Sequence, residues 1–463
     1  MTDNQQHLYE QGPTTCAPTT EVVRSIQQEI KASHALSRGD IRLATAMGLV
    51  NSDAIRPLGF NDGVFYPLVE SAARSAIGTA NPLELVSLAP QPQTRTMHAL
   101  ALLVDFSDNP GARPKAEFET LLFDASNPNS MTSYFNELSG GALQVTGEVI
   151  GYLRAPRPYS FYTAGQSGTG NSFPQNTPGL LEDILTLFCQ TDTLQRFDTD
   201  GDGYVDGIFL IHAGGGAEAE PDPAKRPHKI WSHKWVLPQP FVNNGVKVYA
   251  YSTEPEDGRV GVFAHEFGHV LGLPDLYDST YRSKGVGNWC LMAGGSWGGS
   301  GNKPVRMSCW CLAKLGWLTP QVVKKAAVLS LPPLATDSTA CYRLWSKGKA
   351  GPEYFLLENR QKAGRDSALP GSGLAVWHID ETQSSNTNPL SYLVGLVQAD
   401  GKRDLEFNRN NGDAGDLFPG SGGITKLSDK TTPSTKTNMG LPTGVELSQI
   451  AVSNGVVKLK VKV

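Results

Sequence analysis

Apolar residues recur along the chain with two different periods. From about Pro18 to Val50, Val22, Val23, Ile26 and Ile30 fall three and four apart, the spacing of an amphipathic helix. A proline- and alanine-rich stretch then runs to about Thr94, ends in APQPQT and reads as a linker. Next, strands and helices alternate. HALALLVDF (98–106) predicts a strand, Phe118, Leu121 and Leu122 a short helix, and MTSYFNELSGG (131–141) a helix ending on glycines. ALQVTGEVIGYL (142–153) alternates like a strand. A helix starting at Thr177 and Pro178 carries Leu181, Ile184, Leu185 and Phe188 on one face. GIFLIHA (207–213) and VKVYAYST (246–253) predict strands, and VGVFAHEFGHVLGL (260–273) a helix. After a helix over Met307 to Leu315 the texture becomes almost wholly strand-like: AAVLSL, CYRLWS, EYFLLENRQ, GLAVWHID, YLVGLVQAD, VELSQIAV and VVKLKVKV, with turn-rich spacers. The expectation is an α+β chain in three parts: a partly helical N-terminal extension or pro-segment (1–95), a mixed-sheet domain (96–320) and a β-sandwich (321–463).

Composition narrows the class. With 39% apolar and 18% charged residues and a net charge of −5, the 463-residue chain has an ordinary globular make-up, rich in glycine (49) and proline (31). No basic stripe points to nucleic acid, and no apolar run of about 18 residues points to a membrane span. The N-terminus has neither the charged nor the apolar region of a secretory signal, so a trimmed signal or another export route is expected. Six cysteines form no CxxC pair and leave fifteen possible pairings, so most are expected to be buried thiols.

The sharpest chemistry lies in HEFGHVLGLPD (265–275). On a helix, His265 and His269 project from one face a turn apart, where both imidazoles can reach one zinc ion, and Glu266 stands beside them as general base for a metal-activated water. Gly272 permits the left-handed turn that stops the helix, Pro274 prevents its continuation, and Asp275 then points back as third ligand. Asp278 is the competing ligand. An aspartate makes the centre one charge less positive than a third histidine would, so Glu266 carries more of the activation. Met292, in GNWCLMAGGSW, falls where a metzincin-type enzyme places a methionine beneath its metal. For the oxyanion, Tyr277 and Tyr281 are candidates.

A second metal is suggested by FDTDGDGYVDG (197–207). Asp198, Asp200, Asp202 and Asp206 with the Tyr204 carbonyl reproduce most of an EF-hand-like calcium loop, lacking its final glutamate because Phe209 stands there. His212, His233 and the His378–Asp380 pair are more readily structural, and Asp416 in DAGDLFPG could mark a further calcium site. A lone Cys16 in TTCAP is more often inert; the alternative is a pro-segment thiolate that occupies the open zinc position and holds the site latent.

Several of these motifs in one order resemble the immune inhibitor A-type metallopeptidases, peptidase family M6. They are LLVDFSD, SYFNELSGGALQVTGEV, FDTDGDGYVDGIFLIHAGGG, IWSHKW, GVFAHEFGHVLGLPDLYD, LAKLGWL, YFLLENRQ and GLAVWHID, spread over roughly residues 97 to 463. The family pattern HExxHxxGxxD implies zinc ligands His265, His269 and Asp275 with Glu266 as base. Arg306 departs from it, since histidine is expected there. The resemblance implies a metzincin-like fold, one catalytic zinc, and a secreted bacterial endopeptidase acting on proteins, in some relatives a virulence factor. A monomer with one or more structural calcium ions is expected. The rival is a catalytically silent, calcium-binding adhesion protein on the same fold, against which the intact Glu266 argues.

Overall fold

The computed structural model describes residues 12–36 and 95–463. The helix expected from Pro18 begins at Thr20 and runs to Leu36 (α1), behind a two-residue strand, Thr14–Thr15 (β1). Its expected continuation to Val50 and the linker to Thr94 lie outside the described residues.

Arg95–Asp105 (β2) is the spine of the next region. Its residues Ala99 to Val104 are all fully buried, as a strand covered on both faces requires. Leu143–Arg154 (β3), Ile208–His212 (β4), His233–Asn243 (β5) and Val246–Pro255 (β6) complete a six-stranded sheet with the order β1-β5-β6-β4-β2-β3. The pairs β2–β3, β2–β4 and β4–β6 are parallel, whereas β5 runs antiparallel to β6 and β1 antiparallel to β5. β5 and β1 had no expectation as strands. Pro238 and Pro240 interrupt the β5 sequence, and the pairing of β5 with β6 is irregular between Val236 and Phe241, which suits a strand near the sheet edge.

Helices cover both faces. Lys115–Leu122 (α2), Met131–Leu138 (α3), Tyr159–Thr163 (α4), Thr177–Phe188 (α5) and Val260–Val270 (α6) supply them, and all but the short α4, which had no expectation, follow the apolar periodicity. The cap of α5 is Asn176, one residue before the expected Thr177, because its side chain accepts from the Gly179 amide with Pro178 in the first turn. Phe209 of β4 stacks on Phe267 of α6 at 5.7 Å, and Phe135 of α3 meets Phe267 edge-on at 5.0 Å, so α3 and α6 share one face. On the other face Tyr251 of β6 hydrogen-bonds Thr177 of α5 at 2.8 Å.

Cys309–Lys314 (α7) leads into the strand-rich part. Gln321–Val322 (β7), Tyr342–Trp345 (β9), Glu353–Arg360 (β10), Gly373–Asp380 (β11) and Val394–Leu396 (β12) form a five-stranded sheet, and Ala327–Leu331 (β8), Glu446–Ser453 (β13) and Val456–Lys462 (β14) a three-stranded one. Strand alternation divides the labour of β10 and β11. Phe355, Leu357, Leu374 and Val376 meet Leu331, Leu447 and Leu459 of the three-stranded sheet in one core. Their neighbours Tyr354, Leu356, Ala375 and Trp377 join the core that contains Phe267 and Met292. Among the described residues, no helix is long and apolar enough to cross a membrane.

Candidate metal centre

All residues of α6 are buried, so the helix enters the core carrying its polar groups with it. His265 and His269 lie one turn apart with ring centroids 4.7 Å apart and planes at 87°. Each ring is oriented by a backbone carbonyl: His265 Nδ1 donates to Leu291 O at 2.9 Å, and His269 Nδ1 to Leu273 O at 2.8 Å. A carbonyl only accepts, so each neutral ring keeps its proton on Nδ1 and presents a lone pair at Nε2. After α6, Gly272 adopts φ +89° and Leu273 N bonds back to Gly268 O at 3.0 Å, which turns the chain sharply. Asp275 returns so that Oδ1 lies 3.2 Å from both Nε2 atoms, which are themselves 3.1 Å apart. Three acceptors facing one another repel unless a cation sits among them. A tetrahedral zinc ion with ligands at about 2.0–2.2 Å holds them about 3.3–3.6 Å apart, close to the spacing seen, so the donor set fits that ion. Burial lowers the pKa of His269, favouring the neutral ligand form. Burial works to raise the Asp275 carboxyl, but the two imidazoles outweigh it and hold it below the usual range.

Glu266 is fully buried, and neither carboxylate oxygen makes a well-formed hydrogen bond; the Lys234 amide of β5 faces it only loosely. Burial pushes its carboxyl well up, and the charges of Glu254, Asp275 and Glu218 push the same way. A cation at the three ligands would pull in the opposite direction. Beneath the helix lies Met292, fully buried, with its sulfur occupying the space a Cβ on Gly268 would need, 2.5 Å away. Asp278 takes no part in the cluster: its oxygens accept from the amides and hydroxyls of Thr280 and Ser283. Tyr277 stands beside His265 with centroids 6.4 Å apart, and its hydroxyl donates to Thr15 O at 2.7 Å. Tyr281 instead uses its carbonyl, which accepts from Gln27 and Asn408.

The N-terminal segment therefore lies against the centre. Cys16 has no exposed surface, and a ligating atom from each of Cys16, His265 and Glu266 falls within 4.8 Å of the others. Burial, and after it the Glu266 charge, raises its thiol well above the usual range. A cavity of about 390 Å³ opens alongside, walled by Ala17, Pro18 and Val23 on one side and by Tyr277, Tyr281 and Trp297 on the other.

Of the acidic loop, Asp198, Asp200 and Asp206 bring carboxylate oxygens within 4.8 Å of one another. Asp198 Oδ1 is buried without a partner, whereas Asp206 also accepts from the His98 amide at 2.7 Å and the Thr199 amide at 3.0 Å. Asp202 stays outside that group of three, its carboxylate accepting from the Tyr204 amide at 2.8 Å.

The remaining expected residues serve as structure. His212 donates to Ala213 O at 2.9 Å and is lowered to about 4 by burial; His233, lowered to about 3 by burial, sits between Trp231 O and the Thr177 and Tyr251 hydroxyls. His378 pairs with Glu353 at 2.9 Å, while Asp380 accepts from Thr382 and Asn438. Asp416 turns inward to the Trp289 indole at 3.0 Å and the Asp413 amide at 3.0 Å. Arg306, where histidine was expected, pairs with Glu137 at 2.7 Å. All six cysteines are free, and Cys290 and Cys311 lie 3.8 Å apart. The sequence reading missed the Leu291 and Leu273 carbonyls that orient the histidines, and a carbonyl carries no residue-type signal. It missed Glu254 and Glu218 as neighbours of Glu266 because only the sheet brings them there.

Residues 115–317 match the family model described as immune inhibitor A peptidase M6, catalytic domain. Immune inhibitor A of Bacillus thuringiensis subsp. alesti is 34% identical over 233 residues, which are 42% of this chain and 34% of that protein. The pre-pro-metalloprotease PrtV of Vibrio cholerae serotype O1 is 30% identical over 272 residues, 47% of this chain and 29% of that protein. The chain thus spans about a third of the length of the relatives it matches.

Proposed function

Residues 115–317 are a catalytic domain of the immune inhibitor A M6 peptidase family, and from that premise we propose that the chain is a zinc-dependent endopeptidase cleaving peptide bonds of other proteins. The observation that carries this reading is the convergence of His265 Nε2, His269 Nε2 and Asp275 Oδ1 within 3.2 Å of one another, beside the buried Glu266 carboxylate, which has no well-formed hydrogen bond. A zinc ion held by His265, His269 and Asp275 would supply Lewis-acid polarisation of the scissile carbonyl and of the attacking water. Glu266 takes the proton of that water and delivers it to the leaving amine. A peptide substrate pairs with the outer edge of β5, the edge on which β1 now lies, so main-chain hydrogen bonds hold it extended across the centre. Tyr277 donates its hydroxyl to the reacting carbonyl oxygen, as it now donates to Thr15 O. Met292 supports α6 from below in the metzincin manner.

The same reading assigns the peptidase to 96–320 and a supporting β-sandwich to 321–463. It gives the loop of Asp198, Asp200 and Asp206 a calcium ion, which would neutralise three converging carboxylates and pin the entry to β4. Action outside a bacterial cell is part of the proposal, in keeping with the bacterial sources of both relatives.

The test is casein hydrolysis, measured after limited proteolysis has trimmed the N-terminal residues, with and without a zinc chelator. One zinc per chain and chelator-sensitive cleavage are expected. Glu266→Gln should retain zinc and lose activity by on the order of 10²–10⁴-fold. Undiminished cleavage by that variant would overturn the mechanism, and absence of any chelator-sensitive cleavage would favour the adhesion-protein reading.

A further inference from the structure

From Thr14 to Ile26 the chain is tied to the cleft at successive points. Thr14 and Thr15 pair with Lys234 and His233 of β5, taking the edge that an extended peptide would otherwise use. The Cys16 amide donates to Ser232 O at 2.8 Å, and the Cys16 carbonyl accepts from the Trp231 indole at 3.0 Å. The Trp297 indole donates to Ala17 O at 2.7 Å, and the Thr19 amide to Glu218 O at 2.9 Å. Val22 and Ile26 of α1 are fully buried, and Arg226, itself buried, holds Glu29 at 3.0 Å and Ser25 at 2.8 Å. These contacts fix the backbone on both sides of Cys16 and so limit its side chain to the few staggered directions that backbone allows.

The direction it takes is toward the His265 and Glu266 side of the metal centre. Cys16 Sγ lies within 4.8 Å of ligating atoms of His265 and Glu266, and its thiol donates a long hydrogen bond, 3.6 Å, to the adjacent Ala17 carbonyl. Opposite it stands the Glu266 carboxylate, fully buried and without a well-formed partner. The sulfur thus occupies the side of the centre where Glu266 would position water. A centre with two imidazoles and one carboxylate keeps one position open, and a thiolate is a strong zinc ligand at about 2.3 Å.

We propose that Cys16 supplies the fourth ligand to the zinc held by His265, His269 and Asp275, and that residues 12–29 are thereby an internal inhibitor that excludes both water and substrate. On ligation the thiol proton leaves to solvent and no other bond changes. This rests on the zinc reading above. Closing the fourth position converts a hydrolytic centre into one of structural type, and removal of the segment from β5 opens both the position and the strand edge together.

The experiment is zinc-edge X-ray absorption on the zinc-loaded full chain, wild type and Cys16→Ser, with zinc content and casein hydrolysis measured on the same samples. The wild type should bind one zinc with one sulfur at about 2.3 Å and three nitrogen or oxygen neighbours. Cys16→Ser should retain one zinc with no sulfur, and should cleave casein on the order of 100-fold faster than the untrimmed wild type, as relief from a tethered competitor predicts. One zinc with only nitrogen and oxygen neighbours in the wild type would overturn the proposal while leaving the zinc reading intact. That measurement does not depend on the variant folding. Equal casein cleavage by the two untrimmed chains would also overturn it, and a chain that binds no zinc would overturn both readings.

Discussion

At the scale of single residues, the candidate centre depends as much on what is small as on what is chemical. Gly268 lies between the two histidines, and the Met292 sulfur fills the place of the side chain it lacks. A methyl group at 268 would meet that sulfur at 2.5 Å inside a core where Met292 has no exposed surface. Methionine is adaptable, but Met292 is fully buried, so making room requires either that it rotates within the core or that α6 rises. Gly268→Ala is therefore expected to cost about 1–3 kcal/mol of stability, the usual range for overpacking, with zinc binding weakened as the two imidazoles shift. Urea unfolding with a zinc titration would measure both; unchanged stability and zinc affinity would show that the methionine is not a fixed support.

Elements differ in how openly the sequence declares them, and the reason is where each finds its partners. The helices α2, α3, α5 and α6 were legible because their apolar residues repeat within the segment itself, and Gly272 and Pro274 announced the end of α6. The two histidines, Glu266 and Asp275 could be read for the same reason, since a helix and its terminating turn fix their relation locally. β5 was not legible, because Pro238 and Pro240 break its alternation and its pairing is settled by β6, not by its own residues. Nor could the position of Cys16 be read, which depends on a two-residue strand pairing with a segment more than 200 residues away. The loop around Asp416 behaves similarly: its carboxylate serves to grip Trp289, at 3.0 Å from the indole nitrogen, in the turn that leads to Met292. Burial pushes the Asp416 carboxyl up to about 6. Between that value and an unfolded value of about 4, the folded chain binds the proton more tightly, so stability falls as pH rises across this window and levels off above it. Asp416→Asn keeps the acceptor and removes the proton, so its melting temperature should change less between pH 4 and 6 than that of the wild type. The contribution in question is on the order of 2 kcal/mol. Parallel melting-temperature profiles for the two proteins would show that the loop does not titrate in this way.

For the molecule as a whole, the consequential feature is that the strand-rich part is not an appendage. One face of the β10–β11 pair belongs to the core that contains Met292, while the other is shared with the three-stranded sheet. Arg360 of β10 sits in the joint, fully enclosed. Its guanidinium pairs with Asp366 at 2.8 and 2.7 Å and with Glu358 at 3.0 Å, and donates to Trp289 O at 3.0 Å. Glu358 in turn accepts from the Cys309 amide at the start of α7, at 2.8 Å. One buried cation thus ties the sheet to the turn before Met292 and, through Glu358, to α7. Arg360→Met would fill much of the same volume but leave two buried carboxylates facing each other without their cation. Loss of one partner from such a buried network costs about 3–5 kcal/mol. Because the two regions share a core, that loss should lower the stability of both at once: urea unfolding followed by intrinsic fluorescence and by zinc release should move to lower denaturant together, in one transition. A variant in which zinc release stays at the wild-type midpoint while fluorescence shifts would show that the strand-rich part unfolds by itself and that the centre does not lean on it.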